Sequence, residues 1–170
     1  MNYKYYEVQD ILDRARAKNE QPFILVLDNL EDPRNFGAII RTAEAVGVHG
    51  IIIPRRRSVS VTETVDKTST GAVHMVLIAQ VGNTNETIKK LKAENIWVTG
   101  LEADGDLDYK KVDYKMATAL VIGSEGQGLA RLTRENCDNV VSIPMRGQIN
   151  SLNASVAAAV AMYEILRQRG

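Results

Sequence analysis

The 170-residue chain has one cysteine, Cys137. An internal disulfide and a cysteine-rich metal site are therefore excluded, and a reducing compartment is expected. Its two histidines, His49 and His74, stand far apart without a neighbouring ligand pattern, so no metal is expected. No apolar run approaches the ~20 residues that a membrane-spanning helix requires. The opening MNYKYYEVQD has neither the basic nor the apolar segment of a secretory signal. A cytoplasmic protein with no membrane partner is expected. Charge of one sign is also not in excess: 21 basic residues face 21 acidic ones. Any nucleic-acid contact must then come from a local patch rather than from the overall field. The sequence G-x-x-x-x-G-K-[ST] is absent, and the glycine-rich run Gly123-Ser124-Glu125-Gly126-Gln127-Gly128 is ordered G-x-x-G-x-G, not G-x-G-x-x-G. P-loop chemistry and dinucleotide-dependent oxidoreduction lose their support. A Ser/His/Asp or Cys/His nucleophile arrangement has no local signature either.

What is present is the composition of one globular domain, 45% hydrophobic and 25% charged. Val8, Ile11, Leu12 and Ala15 recur at helical spacing within residues 1–20, which predicts a short N-terminal helical extension or linker ahead of a single domain over 21–170. Six apolar runs follow: Phe23 to Leu27, Gly50 to Ile53, His74 to Ala79, Ile96 to Leu101, Ala117 to Ile122 and Val140 to Ile143. Most are continuously apolar, as expected of parallel strands covered on both faces. The prediction is an α/β fold with a mostly parallel six-stranded sheet and helices on both sides. Glu102 to Asp108 reads as a solvated surface loop. The residues alone imply an unknotted doubly wound sheet, because true knots are rare.

Two predicted helices are unusual. Between Asn35 and Gly47, Phe36, Ile39, Ile40, Ala43 and Val46 form an apolar stripe, while Gly37, Ala38, Arg41 and Ala45 make a second face that is small rather than charged. A helix over Leu152 to Arg169 is apolar almost all the way round and calls for packing on several sides, including a partner subunit. Ser151 is its expected N-cap. Another helix is expected to begin near Leu129, after the glycine-rich turn.

Three clusters stand in a telling order: Asp32-Pro33-Arg34-Asn35-Phe36-Gly37-Ala38-Ile39-Ile40-Arg41-Thr42-Ala43, then Ile122 to Gly128, then Ile143-Pro144-Met145 with Ser151-Leu152-Asn153-Ala154-Ser155. In order and spacing they resemble the three motifs of SpoU-type (TrmH-like) RNA ribose 2′-O-methyltransferases of the SPOUT superfamily, over about residues 22 to 168. Arg57-Ser58, Lys67 and Gly71-Ala72 are similar to the subgroup that methylates a guanosine ribose of 23S ribosomal RNA.

The resemblance implies a deep C-terminal trefoil knot, S-adenosylmethionine as cofactor without a metal, a homodimer, and structured RNA as substrate, with ribosomal RNA favoured and tRNA the alternative. It also leaves open a nonenzymatic knotted RNA-binding or ribosome-assembly protein. By the same resemblance Thr99, Gly100, Leu101, Gly123, Ile143 and Leu152 contact the cofactor, and Arg41, Asn35, Glu125, Ser151 and Asn153 are the catalytic set. A free guanidinium titrates above ~12 and is a poor general base at pH 7, so a phosphate clamp and stabiliser of the developing alkoxide suits Arg41 better. Arg55, Arg56 and Arg57 are candidate phosphate contacts beside Arg41. Family members usually carry an RNA-recognition domain ahead of this one, where about twenty residues stand here.

Overall fold

The computed structural model describes residues 1–124 and 126–170, so Glu125 lies outside the described residues. Chain order is α1 (Val8–Ala17), β1 (Phe23–Leu27), α2 (Pro33–Val46), β2 (Gly50–Pro54), α3 (Glu63–Thr68), β3 (Leu77–Val81), α4 (Thr84–Ala93), β4 (Trp97–Leu101), β5 (Leu107–Asp108), β6 (Thr118–Ile122), α5 (Arg131–Asn136), β7 (Asn139–Ser142) and α6 (Ala154–Arg169). All pairings are parallel, in the order β3-β2-β1-β6-β4-β7-β5.

The continuous apolar strands follow from burial on both faces. Leu25, Leu27, Ile51, Ile53, Leu120 and Ile122 point into one core with Phe36, Ile39, Ile40 and Ala43 of α2 and Ala158, Ala161, Met162 and Ile165 of α6. Ile24, Val26, Ile52, Val98, Ala119 and Val121 point into the other, with Ile11 of α1 and Ile88 and Leu91 of α4. Full burial of each Val, Leu, Ile, Phe or Met side chain among them contributes ~1.5–3 kcal/mol. α1 thus packs on the sheet, and Ile11 occupies the space that a side chain at Gly50 would need.

The sheet has seven strands, not the expected six. The seventh is β5, inside the stretch read as a solvated loop: Leu107 and Asp108 pair with Val141 and Ser142 of β7. β7 lies between β4 and β5, which only residues 102–106 connect. That connection closes over β7: Glu102 N donates to Val141 O at 3.0 Å, and Ser142 Oγ donates to Gly105 O at 3.1 Å. A Cβ at Gly105 would stand 2.4 Å from the Val141 carbonyl carbon, so only glycine lets the two backbones cross. β7 is thus enclosed by the connection between its two neighbours, the crossing that the trefoil knot implied by the resemblance requires, in place of the unknotted sheet.

Three further readings are corrected. Asn153, not Ser151, caps α6: its Oδ1 accepts from Ser155 N at 2.9 Å and Val156 N at 3.2 Å, while Ser151 is exposed outside the helix. The helix after the glycine turn starts at Arg131 rather than near Leu129, with Ala130 as its N-cap residue. Gly37 belongs to no open small-residue face of α2. It is buried, and a Cβ there would collide with Thr68 Oγ1 of α3 at 1.8 Å. Ala38, Arg41 and Ala45 do stay at the surface or partly so.

The end of α6 is fastened to the start of the sheet. Arg169 donates through Nε to Tyr114 O (2.8 Å), through Nη1 to Gln21 O (2.8 Å), and through Nη2 to Pro22 O (3.0 Å) and Met116 O (2.8 Å). Its guanidinium also lies 5.2 Å from the centre of the Phe23 ring. Nearby, the buried His49 ring accepts from Phe23 N through Nδ1 and meets Glu20 Oε1 through Nε2, both at 2.9 Å. Burial holds its pKa below the ordinary histidine value despite Glu20, so the ring is neutral at pH 7 with the proton on Nε2.

Candidate active site

The carboxyl ends of β4, β6 and β7 open into a cavity of about 410 Å³. Leu101, Glu102 and Ala103 come from the end of β4, and Ile122, Gly123, Ser124, Gly126 and Gly128 from the turn after β6. Ile143, Met145 and residues 150–153 come from the loop after β7, and Ala154 and Ala157 from α6. The knot brings these segments together, because it threads the β7–α6 chain past the end of β4.

The glycine turn is shaped by close approach. A Cβ at Gly123 would lie 2.3 Å from the carbonyl carbon of Gly128, and Ser124 and Gly128 exchange backbone hydrogen bonds of 3.1 and 3.0 Å. Glu102 holds the turn from the cavity side. Its Oε1 accepts from Leu129 N at 2.7 Å, and its Oε2 accepts from Arg134 Nη1, which also reaches Asp104 Oδ1 at 2.8 Å. On the opposite side Asp28 Oδ2 accepts from Ala130 N at 3.3 Å. The Cys137 thiol behind β4 is pushed up to about 12 by burial, so it offers no nucleophile at neutral pH.

Of the residues singled out from the sequence, Leu101, Gly123, Ile143, Leu152, Ser151 and Asn153 meet on this one cavity. Thr99 and Gly100 do not line it. Both are buried within β4, and a Cβ at Gly100 would point at Leu129 and Cys137. Asn35 is buried in the first turn of α2 and Arg41 is exposed two turns on, neither of them lining the cavity of their own chain. Glu125 lies outside the described residues. Arg55, Arg56 and Arg57 are exposed after β2, and Arg57 lines a second cavity. Glu102 was missed: in sequence it is one more acidic residue of a polar stretch, and only the fold brings it to Leu129 and Arg134. Among the described residues no group of three His, Cys, Asp or Glu is placed to hold a metal, and no helix is long and apolar enough to cross a membrane.

The cavity fits S-adenosylmethionine in the character of its walls. Its volume falls in the range of small-molecule sites. Leu101, Ile143, Leu152 and Ala157 offer apolar surface to a ring, and the Gly123 and Gly128 backbones, free of side chains, admit close approach by polar ligand atoms.

A parallel α/β sheet of this strand order, with a cavity over its knotted carboxyl ends, is also the fold of solved SpoU methyltransferases. Residues 22–163 match the model of the SpoU rRNA Methylase family. The chain belongs to that family and carries its methyltransferase domain. It is 52% identical over 167 residues to a Bacillus subtilis protein named "Putative TrmH family tRNA/rRNA methyltransferase YacO", covering 98% of this chain and 67% of that one. Among solved structures it resembles the SpoU methyltransferase AviRb of Streptomyces viridochromogenes in complex with the cofactor AdoMet (TM-score 0.88, 32% identity, 99% of this chain and 66% of that one). It also resembles an AdoMet-bound rRNA methyltransferase of Sinorhizobium meliloti (TM-score 0.86, 29% identity, 98% and 62%). The chain thus spans about two thirds of the length of these relatives.

Proposed function

We propose that the chain catalyses S-adenosylmethionine-dependent methylation of a ribose 2′-hydroxyl in structured RNA, with a guanosine of 23S ribosomal RNA as the favoured acceptor and tRNA as the alternative. The observation that carries the reading is the cavity itself, where Gly123, Ile143 and Leu152, distant in sequence, converge. The cofactor, when bound, supplies an electrophilic methyl group on a sulfonium centre. In-line displacement then requires that the acceptor hydroxyl be held behind that methyl and relieved of its proton.

Leu101, Ile143 and Leu152 exclude water from the cofactor wall, and the Gly123 turn admits close backbone approach. Asn153 caps α6 while lining the cavity, so it ties the helix start to the pocket floor. Arg41 holds the phosphate beside the reacting ribose and stabilises the alkoxide as it forms. Its place outside the cavity of its own chain fits a homodimer in which it serves the partner's cavity. α6 has a face for that contact, with Val156 49% and Tyr163 52% exposed.

Ribose-methylation mapping of total RNA from cells with and without the gene tests the reading. The expected result is the loss of a 2′-O-methyl group at one ribosomal guanosine. Loss from a tRNA instead selects the alternative acceptor, and identical maps overturn the proposal.

A further inference from the structure

A second cavity, of about 430 Å³, opens on the far side of the Gly123–Gly128 turn. Three loops line it, each leaving the carboxyl end of a parallel strand: Asn29 and Glu31 after β1, Arg57 after β2, Gln127 and Ala130 after β6. β1 and β6 are neighbours from which the chain departs in opposite directions, toward β2 on one side and across β4 to β7 on the other. The crevice between strands whose connections diverge is where open α/β sheets bind ligands. Ser124 and Gly128 line both cavities, so the occupant of one adjoins the occupant of the other.

The walls are fixed. Val59 N and Ser58 Oγ donate to Leu30 O at 2.9 and 3.2 Å, joining the Arg57 loop to the Asn29 loop, and Asp28 joins that loop to Ala130. Asn29 and Arg57 hold left-handed backbone conformations, φ 62° and 55°, which are unfavourable for residues with a Cβ and persist where surroundings enforce them. Arg57 is exposed and has no ion-pair partner among the described residues. Arg55 is turned elsewhere: its Nη1 lies 3.5 Å from where a Cβ of Gly82, after β3, would be.

We propose that this second cavity is the acceptor-nucleotide site. It takes one nucleotide of the RNA, with its 5′-phosphate on the Arg57 guanidinium, the 3′-phosphate beside the reacting hydroxyl being left to Arg41, and with its hydroxyl or base N–H groups on Glu31 and Gln127. The ribose then lies across Ser124 from the cofactor. Arginine suits the phosphate because its planar fork donates to two oxygens at once, and the volume is that of a small-molecule site. The inference rests on the methyl-transfer reading, and it narrows the arginine run to one residue that reaches the site.

The test uses the whole chain saturated with S-adenosylhomocysteine, with backbone amides followed by NMR while guanosine 5′-monophosphate or guanosine is added. The nucleotide is expected to shift the amides of Asn29, Gln127 and Ala130, and guanosine to bind roughly 10-fold more weakly for want of the phosphate. Arg57→Ala should weaken nucleotide binding by about the same factor and leave guanosine binding unchanged. Arg57→Gly, suited to the left-handed backbone, should do the same without strain, and Arg16→Ala, beside the amino ends of β1, β4 and β6, should have no effect. Equal binding of nucleotide and nucleoside, full binding by both Arg57 variants, or shifts confined to other regions would overturn the proposal. Failure of the methyl-transfer reading shows separately, as no binding of S-adenosylhomocysteine, and the nucleotide titration still reads the second cavity.

Discussion

Arg41→Ala will lower methyl transfer to RNA by about 10²-fold or more while cofactor affinity stays within a few-fold of the parent, because the guanidinium meets charge that develops only as the hydroxyl reacts. Leu152→Arg gives the opposite pattern. Leu152 lines the first cavity beside Ile143 and the glycine turn, and a cation there must be desolvated or must occupy the space of the ligand. Cofactor binding is then lost along with activity. Equilibrium titration with S-adenosylmethionine, paired with tritium transfer to RNA, separates the two variants. Equal loss of cofactor affinity in both would mean that Arg41 belongs to the cofactor pocket and not to the acceptor.

The largest expected effect on stability is at the other end of the molecule. Arg169 satisfies four backbone carbonyls from residues 21, 22, 114 and 116 and lies over the Phe23 ring. It fastens the last turn of α6 to the starts of β1 and β6. Hydrogen bonds from a charged donor contribute ~1.5–3 kcal/mol each, and part of the loss is recovered as carbonyls on this half-exposed edge meet water. Arg169→Met should therefore cost about 3 kcal/mol or more, read as a lower urea midpoint at unchanged slope. Arg169→Lys should recover only a fraction, since a point ammonium does not span carbonyls reached by three nitrogens of a planar fork. A shift under about 0.5 kcal/mol for Arg169→Met would show that the latch is replaced by solvent.

The layers of the fold were legible in the sequence because they rest on local pattern. Phe23 to Leu27 and Ala117 to Ile122 are apolar without alternation, and the structure covers both faces of each. The stripe Phe36, Ile39, Ile40, Ala43, Val46 is the buried face of α2. What the residues did not disclose depends on contacts distant in sequence. β5 is two residues long and exists because β7 is threaded beside it, so a polar stretch became a strand. Gly105 carries no sign that it crosses Val141, and Gly37 is small because of Thr68 in the next helix. Ser151 and Asn153 are both good cap residues, and only the path of the chain through the knot decides between them.

The candidate site divides in the same way. The motif resemblance pointed to Gly123, Ile143, Leu152 and Asn153, which line one cavity, because the motifs mark backbone-shaping and helix-starting positions. The resemblance also drew in Thr99 and Gly100, yet only Leu101, the last residue of β4, reaches the cavity wall: the pleat turns Gly100 to the other face of the sheet, and Thr99 shares the face of Leu101 but lies two residues deeper in the strand. Glu102 went unseen because the signal lies in two partners, Leu129 and Arg134, that the sequence places about thirty residues away.

The most direct measurement is a calorimetric titration of S-adenosylmethionine into the whole chain and into Gly123→Ala, each first shown to be folded by circular dichroism. A Cβ at Gly123 would press on the Gly128 carbonyl carbon at 2.3 Å and force the turn into the cavity or apart from it. The account predicts saturable binding at one site per chain for the parent and at least roughly 5-fold weaker binding for the variant, in line with a cost of ~1–3 kcal/mol for overpacking. No heat from the parent, or undiminished affinity in Gly123→Ala, would contradict it.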